Sequence, residues 1–196
     1  MADNFPEALR ARLQARSTQV RAEWRARPAA VLTPLYLADG EWHLLFTQRT
    51  DTVEEHKGQV SFPGGSVDPE DRDRIDTALR ETEEEIGLHR ADVTVLGALD
   101  ELITVMQWRI TPVVATFTYP YEFKLNPAEA TAVFGVPLRW LADPTNLETR
   151  YREPIVPGRK VAVYYYAPYD GYVIWGATAR MTLSLLQVAG LIDHMD

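Results

Sequence analysis

The chain has 196 residues, of which 46% are hydrophobic and 24% are charged, and its formal net charge at pH 7 is −8. This length and balance fit one globular domain, or one domain with an extension, that can bury a sizeable core. There is no cysteine, which excludes disulfides, thiolate nucleophiles and cysteine-ligated zinc sites. The negative charge disfavours general nucleic-acid binding. An anionic substrate would need a local positive charge, and a bound divalent cation is the natural candidate.

The sequence contains no pattern typical of a membrane protein. No uninterrupted apolar run approaches the roughly 20 residues that a membrane-spanning helix requires. The N-terminal segment is rich in arginine, as in some organelle transit peptides, but Asp3, Glu7 and Glu23 argue against that interpretation. We therefore expect a plain surface helix at the N-terminus and a cytoplasmic protein without a membrane partner.

The predicted elements begin with a helix over residues 5–27, which Pro28 ends. Strands over 29–37 and 42–47 flank the hairpin signal Asp39-Gly40. The later predicted elements, in chain order, are a loop with a short strand over 58–65, a helix over 73–86, strands over 93–96, 99–105 and 110–117, a short helix over 129–133, a turn or helix around Trp140, strands over 161–166 and 172–175, and a helix over 177–191. The pattern predicts one mixed α/β domain with an N-terminal helical extension.

The end of the 73–86 helix carries four glutamates in five positions, an arrangement in which like charges weaken a helix. At about 100° per residue, Glu81, Glu84 and Glu85 converge on one edge, beside an apolar stripe that begins at Ile75, whereas Glu83 points away. Three convergent carboxylates suit a hard cation such as Mg²⁺ or Mn²⁺, which would relieve the repulsion. The alternative is a solvated acidic face.

A glycine-rich turn, Phe62-Pro63-Gly64-Gly65, precedes this helix. Glycines let backbone amides approach a phosphate closely. Most such glycine pairs are simple turns, so the turn alone is weak evidence. Followed by an acidic helix, however, it predicts a site that holds anionic oxygens together with their metal ion.

These residues resemble the Nudix box, G-x5-E-x7-R-E-U-x-E-E-x-G-U, in which U is aliphatic. Residues 80–88 match its second half, with Thr82 at an aliphatic position. The first half is one residue longer than the pattern, so its acid is either Glu70 or Asp71. The resemblance implies an α/β/α sandwich around a mixed β-sheet, with residues 1–28 as an N-terminal helix and 29–196 as the catalytic domain.

With this extra residue, the box resembles that of the coenzyme A diphosphatase branch of the family. That branch also carries L-L-T-x-R-S and H-x-G-Q-V-x-F-P-G-G upstream of the box. Residues 45–50 and 56–65 fit this signature, with Phe46 and Thr50 as departures, and residues 134–138 and 174–179 also look like this branch. The resemblance implies hydrolysis of coenzyme A to 3′,5′-ADP and 4′-phosphopantetheine. The alternatives are a Nudix hydrolase for ADP-ribose or a dinucleotide, and a module that binds a nucleotide without cleaving it.

The resemblance also implies roles for individual residues. Glu81, Glu84 and Glu85 would bind Mg²⁺ or Mn²⁺, and Arg80 would orient these carboxylates by ion pairing. The general base is open between Glu84 and an acid outside the box, the candidates being Asp100, Glu101 and Glu129.

Substrate contacts are expected from cations and from the glycine turn. Arg49 and Lys57 are candidates for holding the substrate phosphates, together with Gly64 and Gly65. Four aromatic residues could stack on adenine or simply pack in the sheet: Tyr164, Tyr165, Tyr166 and Trp175. The sequence gives no indication of the oligomeric state.

Overall fold

The computed structural model describes residues 4–16, 26–50, 58–152 and 161–193. Its helices are α1 (Phe5–Gln14), α2 (Arg74–Ile86), α3 (Leu138–Ala142) and α4 (Gly176–Ala189). Its strands are β1 (Arg27–Ala38), β2 (Glu41–Arg49), β3 (Val60–Ser61), β4 (Gly64–Ser66), β5 (Val93–Ala98), β6 (Leu102–Ile103), β7 (Trp108–Phe117), β8 (Ala130–Pro137), β9 (Leu147–Arg152) and β10 (Val161–Tyr166). Within these ranges, no helix combines the length and hydropathy needed to cross a membrane.

The first eight strands form one mixed sheet in which the glycine turn is wedged between β1 and β2. β1 pairs parallel with β7 and antiparallel with β2, but it pairs with β2 only over the hairpin. Where the two strands separate, β4 pairs with β1, with Val31 opposite Gly64, and β3 pairs with β2, with Thr47 opposite Ser61. This wedge fixes the position of the Gly64–Ser66 backbone in the centre of the sheet.

Each face of the sheet has its own hydrophobic core, because alternate residues of a strand point to opposite faces. Ala30 and Leu32 belong to the core that includes Ala78 and Ile86 of α2. Val31 and Leu35 belong to the core that includes side chains of α1, α3 and α4. The predicted α/β/α sandwich around a mixed sheet is therefore confirmed.

Helix α2 begins and ends where its sequence predicts. The Asp73 side chain accepts a hydrogen bond from the Asp76 N–H at 2.9 Å, and Gly87 is left-handed at φ 69°. The last carbonyls of the helix are satisfied from the loop after β7, because Lys124 N–H donates to Ile86 O and Asn126 N–H donates to Glu85 O, both at 2.9 Å. The final turn, which carries the glutamates, is therefore fixed by the loop after β7 as well as by the helix itself. Ile75 departs from the predicted apolar stripe and is exposed.

The N-terminal helix packs on the domain, and residues 17–25 of the predicted 5–27 helix lie outside the described residues. It ends at Gln14, and Arg27 already belongs to β1, where its N–H donates to Gln107 O at 2.7 Å. Leu9 and Leu13 are buried in the core beside α4. The division of the chain at residue 28 stays a prediction.

Two further predictions at the level of single elements were wrong, and one strand was missed. Residues 130–137 form a strand instead of beginning with a short helix, because pairing with β2 overrides the local helical pattern. Residues 172–175 make only isolated bridges after the Asp170-Gly171 turn. Strand β9 was not predicted, because its sequence, LETRYR, is mostly polar and almost entirely exposed. Its regular structure comes from pairing with β10.

Candidate functional site

The glycine turn contacts the acidic edge of α2 directly. Gly64 N–H donates to Glu85 Oε2 at 3.1 Å. Gly64 has a φ of 151°, and a Cβ there would collide with the backbone of Ala30 and Val31. A Cβ on Gly65 would overlap the carboxylate of Glu81. Both positions therefore need glycine, because the turn passes between β1 and the carboxylates of α2.

Glu85 is a buried carboxylate with one oxygen that lacks a hydrogen bond. The residue is 3% exposed, and its Oε1 has no hydrogen-bond partner among the described residues. Burial raises the pKa of Glu85 to about 7, against the opposing effects of the Gly64 N–H, the Thr47 hydroxyl and the Arg49 charge. A divalent cation would satisfy such an oxygen and keep the carboxylate ionised. The chemistry of this side chain thus fits the predicted metal ion.

Arg80 joins the two halves of the box. Its Nε and Nη2 donate to the carboxylate of Asp71 at 2.9 and 3.0 Å. Its Nη1 donates to Glu81 Oε1 at 2.9 Å and to Glu84 Oε2 at 3.1 Å. These bonds lower the pKa of Asp71 well below its usual range. The early acid of the box was left open between Glu70 and Asp71. Of the two, Asp71 makes the contacts with Arg80, whereas Glu70 is exposed.

The remaining glutamate, Glu83, lies on the opposite edge of α2, as the helical wheel predicts. Its carboxylate pairs with His89 Nδ1 at 2.8 Å and with Arg90 Nε at 3.3 Å. These bonds, led by the one from His89, lower the pKa of Glu83. Glu83 is therefore an ion-paired side chain and not merely a solvated one.

The predicted metal ligands are near one another but do not form a closed cage. Glu81 and Glu84 are both held by Arg80, whereas Glu85 faces β4. Across the described ranges, no group of three acidic or histidine side chains is close enough to enclose an ion. Glu84 is 56% exposed and could swing. The assignment of Glu81, Glu84 and Glu85 as ligands stays a prediction.

The structure separates the three acids proposed as alternatives to Glu84. Glu129 lies close enough for its charge to raise the pKa of both Glu81 and Glu85. Its backbone is fixed between Thr50 N–H, which donates to Glu129 O at 3.1 Å, and Asn126 O. Asp100 instead pairs with Arg16 at 2.7 Å. Glu101 accepts from the Thr111 hydroxyl at 3.3 Å, away from this edge. Among these three, the structure brings only Glu129 to the glutamates.

The candidate substrate-binding residues divide between the site and other places. Arg49 faces Glu85, and its Nε is buried without a hydrogen-bond partner among the residues described. Lys57 lies outside the described residues. Tyr165 stacks on Trp175, with ring centroids 5.5 Å apart, and the Arg150 guanidinium lies 4.3 Å from the same Tyr165 ring. Tyr166 is buried, and Tyr164 lines a cavity beneath α4. These rings therefore have different surroundings, and stacking on adenine stays a prediction.

Comparisons with known proteins agree with this architecture. The family described as NUDIX domain matches residues 26–157. The uncharacterized Nudix hydrolase NudL of Photorhabdus laumondii is 38% identical over 162 residues, covering 82% of this chain and 84% of that protein. The NudL of Yersinia enterocolitica is 37% identical over 159 residues, covering 81% and 80%.

Among solved structures, the Nudix hydrolase RenU of M. smegmatis superposes with a TM-score of 0.58 at 19% identity, covering 88% of this chain and 91% of RenU. A Nudix hydrolase from Alicyclobacillus acidocaldarius gives 0.51 at 20% identity, covering 89% and 100%. At these identities the two structures support the fold alone.

Proposed function

The chain belongs to the Nudix family, whose hydrolases act on diphosphate bonds and generally use divalent metal ions, and we propose that it hydrolyses coenzyme A. The products would be 3′,5′-ADP and 4′-phosphopantetheine. One observation supports this choice most directly: three residues of the upstream signature act on Glu85. Gly64 N–H donates to the Glu85 carboxylate, and the Thr47 hydroxyl and the Arg49 charge oppose the rise in its pKa that burial causes. Part of the signature that resembles the branch thus lies at the acidic edge of the box.

The proposed chemistry is attack of water on phosphorus, with cleavage of one bridging P–O bond. A bound Mg²⁺ or Mn²⁺ would neutralise charge on the diphosphate and acidify water. Glu81, Glu84 and Glu85 would hold it. Arg80 would keep Glu81 and Glu84 in position through its 2.9 and 3.1 Å bonds. Because phosphoryl transfer depends mainly on positioning and electrostatics, these contacts carry most of the proposed catalysis.

Substrate phosphate would meet Arg49 and the glycine turn. The buried Arg49 Nε has a free N–H with respect to the described residues, and a phosphate oxygen is a suitable acceptor. At Gly65 the backbone lies directly against the Glu81 carboxylate, which brings the glycine turn next to a proposed metal ligand. Lys57 is proposed as a second phosphate contact from the signature alone.

The proton of the attacking water needs an acceptor, for which Glu84 and Glu129 are the two candidates. Glu84 is tied to Arg80, whereas Glu129 acts electrostatically on both Glu81 and Glu85. Glu84→Gln and Glu129→Gln separate them. Replacing the base should remove the acidic limb of the pH–rate profile. Replacing a metal ligand should lower activity in a way that a higher metal concentration partly restores.

The test of the proposed function is identification of products by mass spectrometry after incubation with coenzyme A and Mg²⁺ or Mn²⁺. We expect 3′,5′-ADP and 4′-phosphopantetheine. ADP-ribose and dinucleotides, incubated in parallel, test the alternative substrates. Faster turnover of either, with no cleavage of coenzyme A, would overturn the proposal and leave the family assignment unchanged.

A further inference from the structure

A cavity lies beneath α4. It measures about 330 Å³, which is within the range of small-molecule sites. Its walls come from β6 and the two residues before it, from β7, from β10 and from one face of α4. The described residues that matter most for its chemistry are Asp100, Glu101, Tyr164, Arg180, Ser184 and Gln187. We call it the α4 cavity.

Strand register places one wall of the α4 cavity two strands from the glycine turn, on the face of the sheet opposite to α2. Val31 of β1 is paired with Gly64 on one side and with Pro112, which lines the cavity, on the other. Two strand spacings make the separation of Pro112 from Gly64 about 10 Å. Both sites also lie at the end of the sheet where β1 begins. A substrate group attached to the diphosphate could therefore pass around this end and enter the cavity.

The lining of the α4 cavity combines neutral polar groups with apolar ones. Tyr164, Ser184 and Gln187 offer a phenol, a hydroxyl and an amide. The apolar part of the wall consists of Leu102, Ile103, Pro112, Met181 and Leu183. Such a wall suits a chain that alternates amide and hydroxyl groups with methyl and methylene groups.

Among its described lining residues, the cavity offers no buried cation to a phosphate-bearing group. Asp100 is paired with Arg16 at 2.7 Å, and the Glu101 carboxylate lies 3.8 Å from Arg109 Nε, so these acids are largely compensated. Arg180 is the only cation among the described lining residues, and it is exposed at the rim. The cavity thus favours a neutral arm.

We propose that the α4 cavity holds the pantetheine arm of coenzyme A, the neutral amide-containing group on the far side of the diphosphate from the nucleoside. The inference rests on the proposed function. In this arrangement the 3′-phosphoadenosine group lies outside the cavity. The side chains beneath α4 then determine which group may be attached to the diphosphate.

Binding of the two halves of the substrate tests this arrangement without requiring turnover. Free pantetheine and 3′,5′-ADP are each followed by saturation-transfer NMR with wild type, with Ser184→Trp, which fills the cavity, and with Ala8→Trp. Ala8 is an exposed position of α1 and provides a control of equal size. We expect Ser184→Trp to reduce the pantetheine signal at least fivefold and to leave the 3′,5′-ADP signal unchanged, with Ala8→Trp equal to wild type.

Gln187→Leu removes the amide without adding bulk and decides the question if Ser184→Trp does not fold. It should weaken the pantetheine signal about threefold. Equal pantetheine signals in folded cavity variants and in wild type, or loss of the 3′,5′-ADP signal instead, would overturn the inference. If wild type binds pantetheine in the cavity but does not cleave coenzyme A, the proposed function fails while the site stands. If coenzyme A is cleaved but the cavity variants leave its KM unchanged, the site fails while the function stands.

Discussion

The two edges of helix α2 carry the same residue type in opposite electrostatic settings. On one edge, Glu83 is paired with His89 and Arg90, and its pKa is lowered. On the other, Glu85 is buried against the glycine turn, and its pKa is raised to about 7. On the first edge, protein side chains neutralise the negative charge. On the second edge, the negative charge of the carboxylates exceeds the positive charge of Arg49 and Arg80. The difference indicates where an added cation would stabilise the fold and where it would change little.

The largest effect that tests the difference between the two edges is expected from Glu85→Gln. Turnover should fall on the order of 10²-fold or more, because a charged oxygen ligand is lost from the site. The folded protein should persist, since the glutamine amide oxygen can still accept from Gly64 N–H at the position of Oε2. Coenzyme A turnover and melting temperature, each with and without Mg²⁺, measure the two effects.

Glu83→Gln is the matched control on the ion-paired edge, and it should keep turnover within a fewfold of wild type. A Glu85→Gln enzyme as active as wild type would contradict the assignment of the metal edge. So would an equal loss of activity in both variants.

The glycine turn offers a second contrast, between crowding and backbone strain. Gly65→Ala would bring a Cβ into the Glu81 carboxylate, and we expect a roughly 10- to 100-fold loss of turnover from the misplaced ligand. Gly40→Ala has open space but a φ of 76°. It should cost about 1 kcal/mol of stability and leave turnover unchanged. If Gly65→Ala lost only stability, Glu81 would not be needed in its present position.

The pH dependence of metal affinity sharpens the comparison on the Glu85 edge. A pKa of about 7 means that Glu85 is mostly protonated at pH 6 and mostly ionised at pH 8. Since a metal ion binds the ionised form, affinity for Mg²⁺ should rise about tenfold between these pH values. Isothermal titration calorimetry on wild type and Glu85→Gln measures this. A slope that survives in Glu85→Gln would assign the titrating group elsewhere.

The sequence predicted α2 and its two edges well, because the relevant signals are local. The apolar stripe, apart from the exposed Ile75, and the bounds of the helix depend on residues within the helix and its flanks. Burial of Glu85 could not be predicted in the same way, since it depends on β4 being wedged between two strands. The choice of Asp71 over Glu70 depends on the turn in which Asp71 N–H donates to Asp68 O at 3.0 Å.

Long-range pairing accounts for the elements that the sequence did not reveal. Strand β8 has a locally helical beginning, and only its partner β2, far away in the chain, makes it a strand. Glu129, just before β8, was one of three candidates outside the box, beside Glu84, for the general base. That pairing carries it to Glu81 and Glu85. Sites assembled from separate elements are thus less predictable than the helix that contributes most of their residues.

The smallest expected effect is on stability, and it should have opposite sign at the two edges. Glu83→Gln loses two partly exposed ion pairs and should cost about 0.2–1 kcal/mol. Because the folded pKa of Glu83 is lowered, its contribution is present above the unfolded pKa of about 4.5 and is lost as the pH falls. The raised pKa of Glu85 acts the other way: stability is lost as the pH rises towards 7, and Glu85→Gln removes that loss. Melting temperatures at pH 8 in EDTA should therefore fall in Glu83→Gln and rise in Glu85→Gln. A shift of the same sign in both variants would mean that the two edges of α2 do not differ as described.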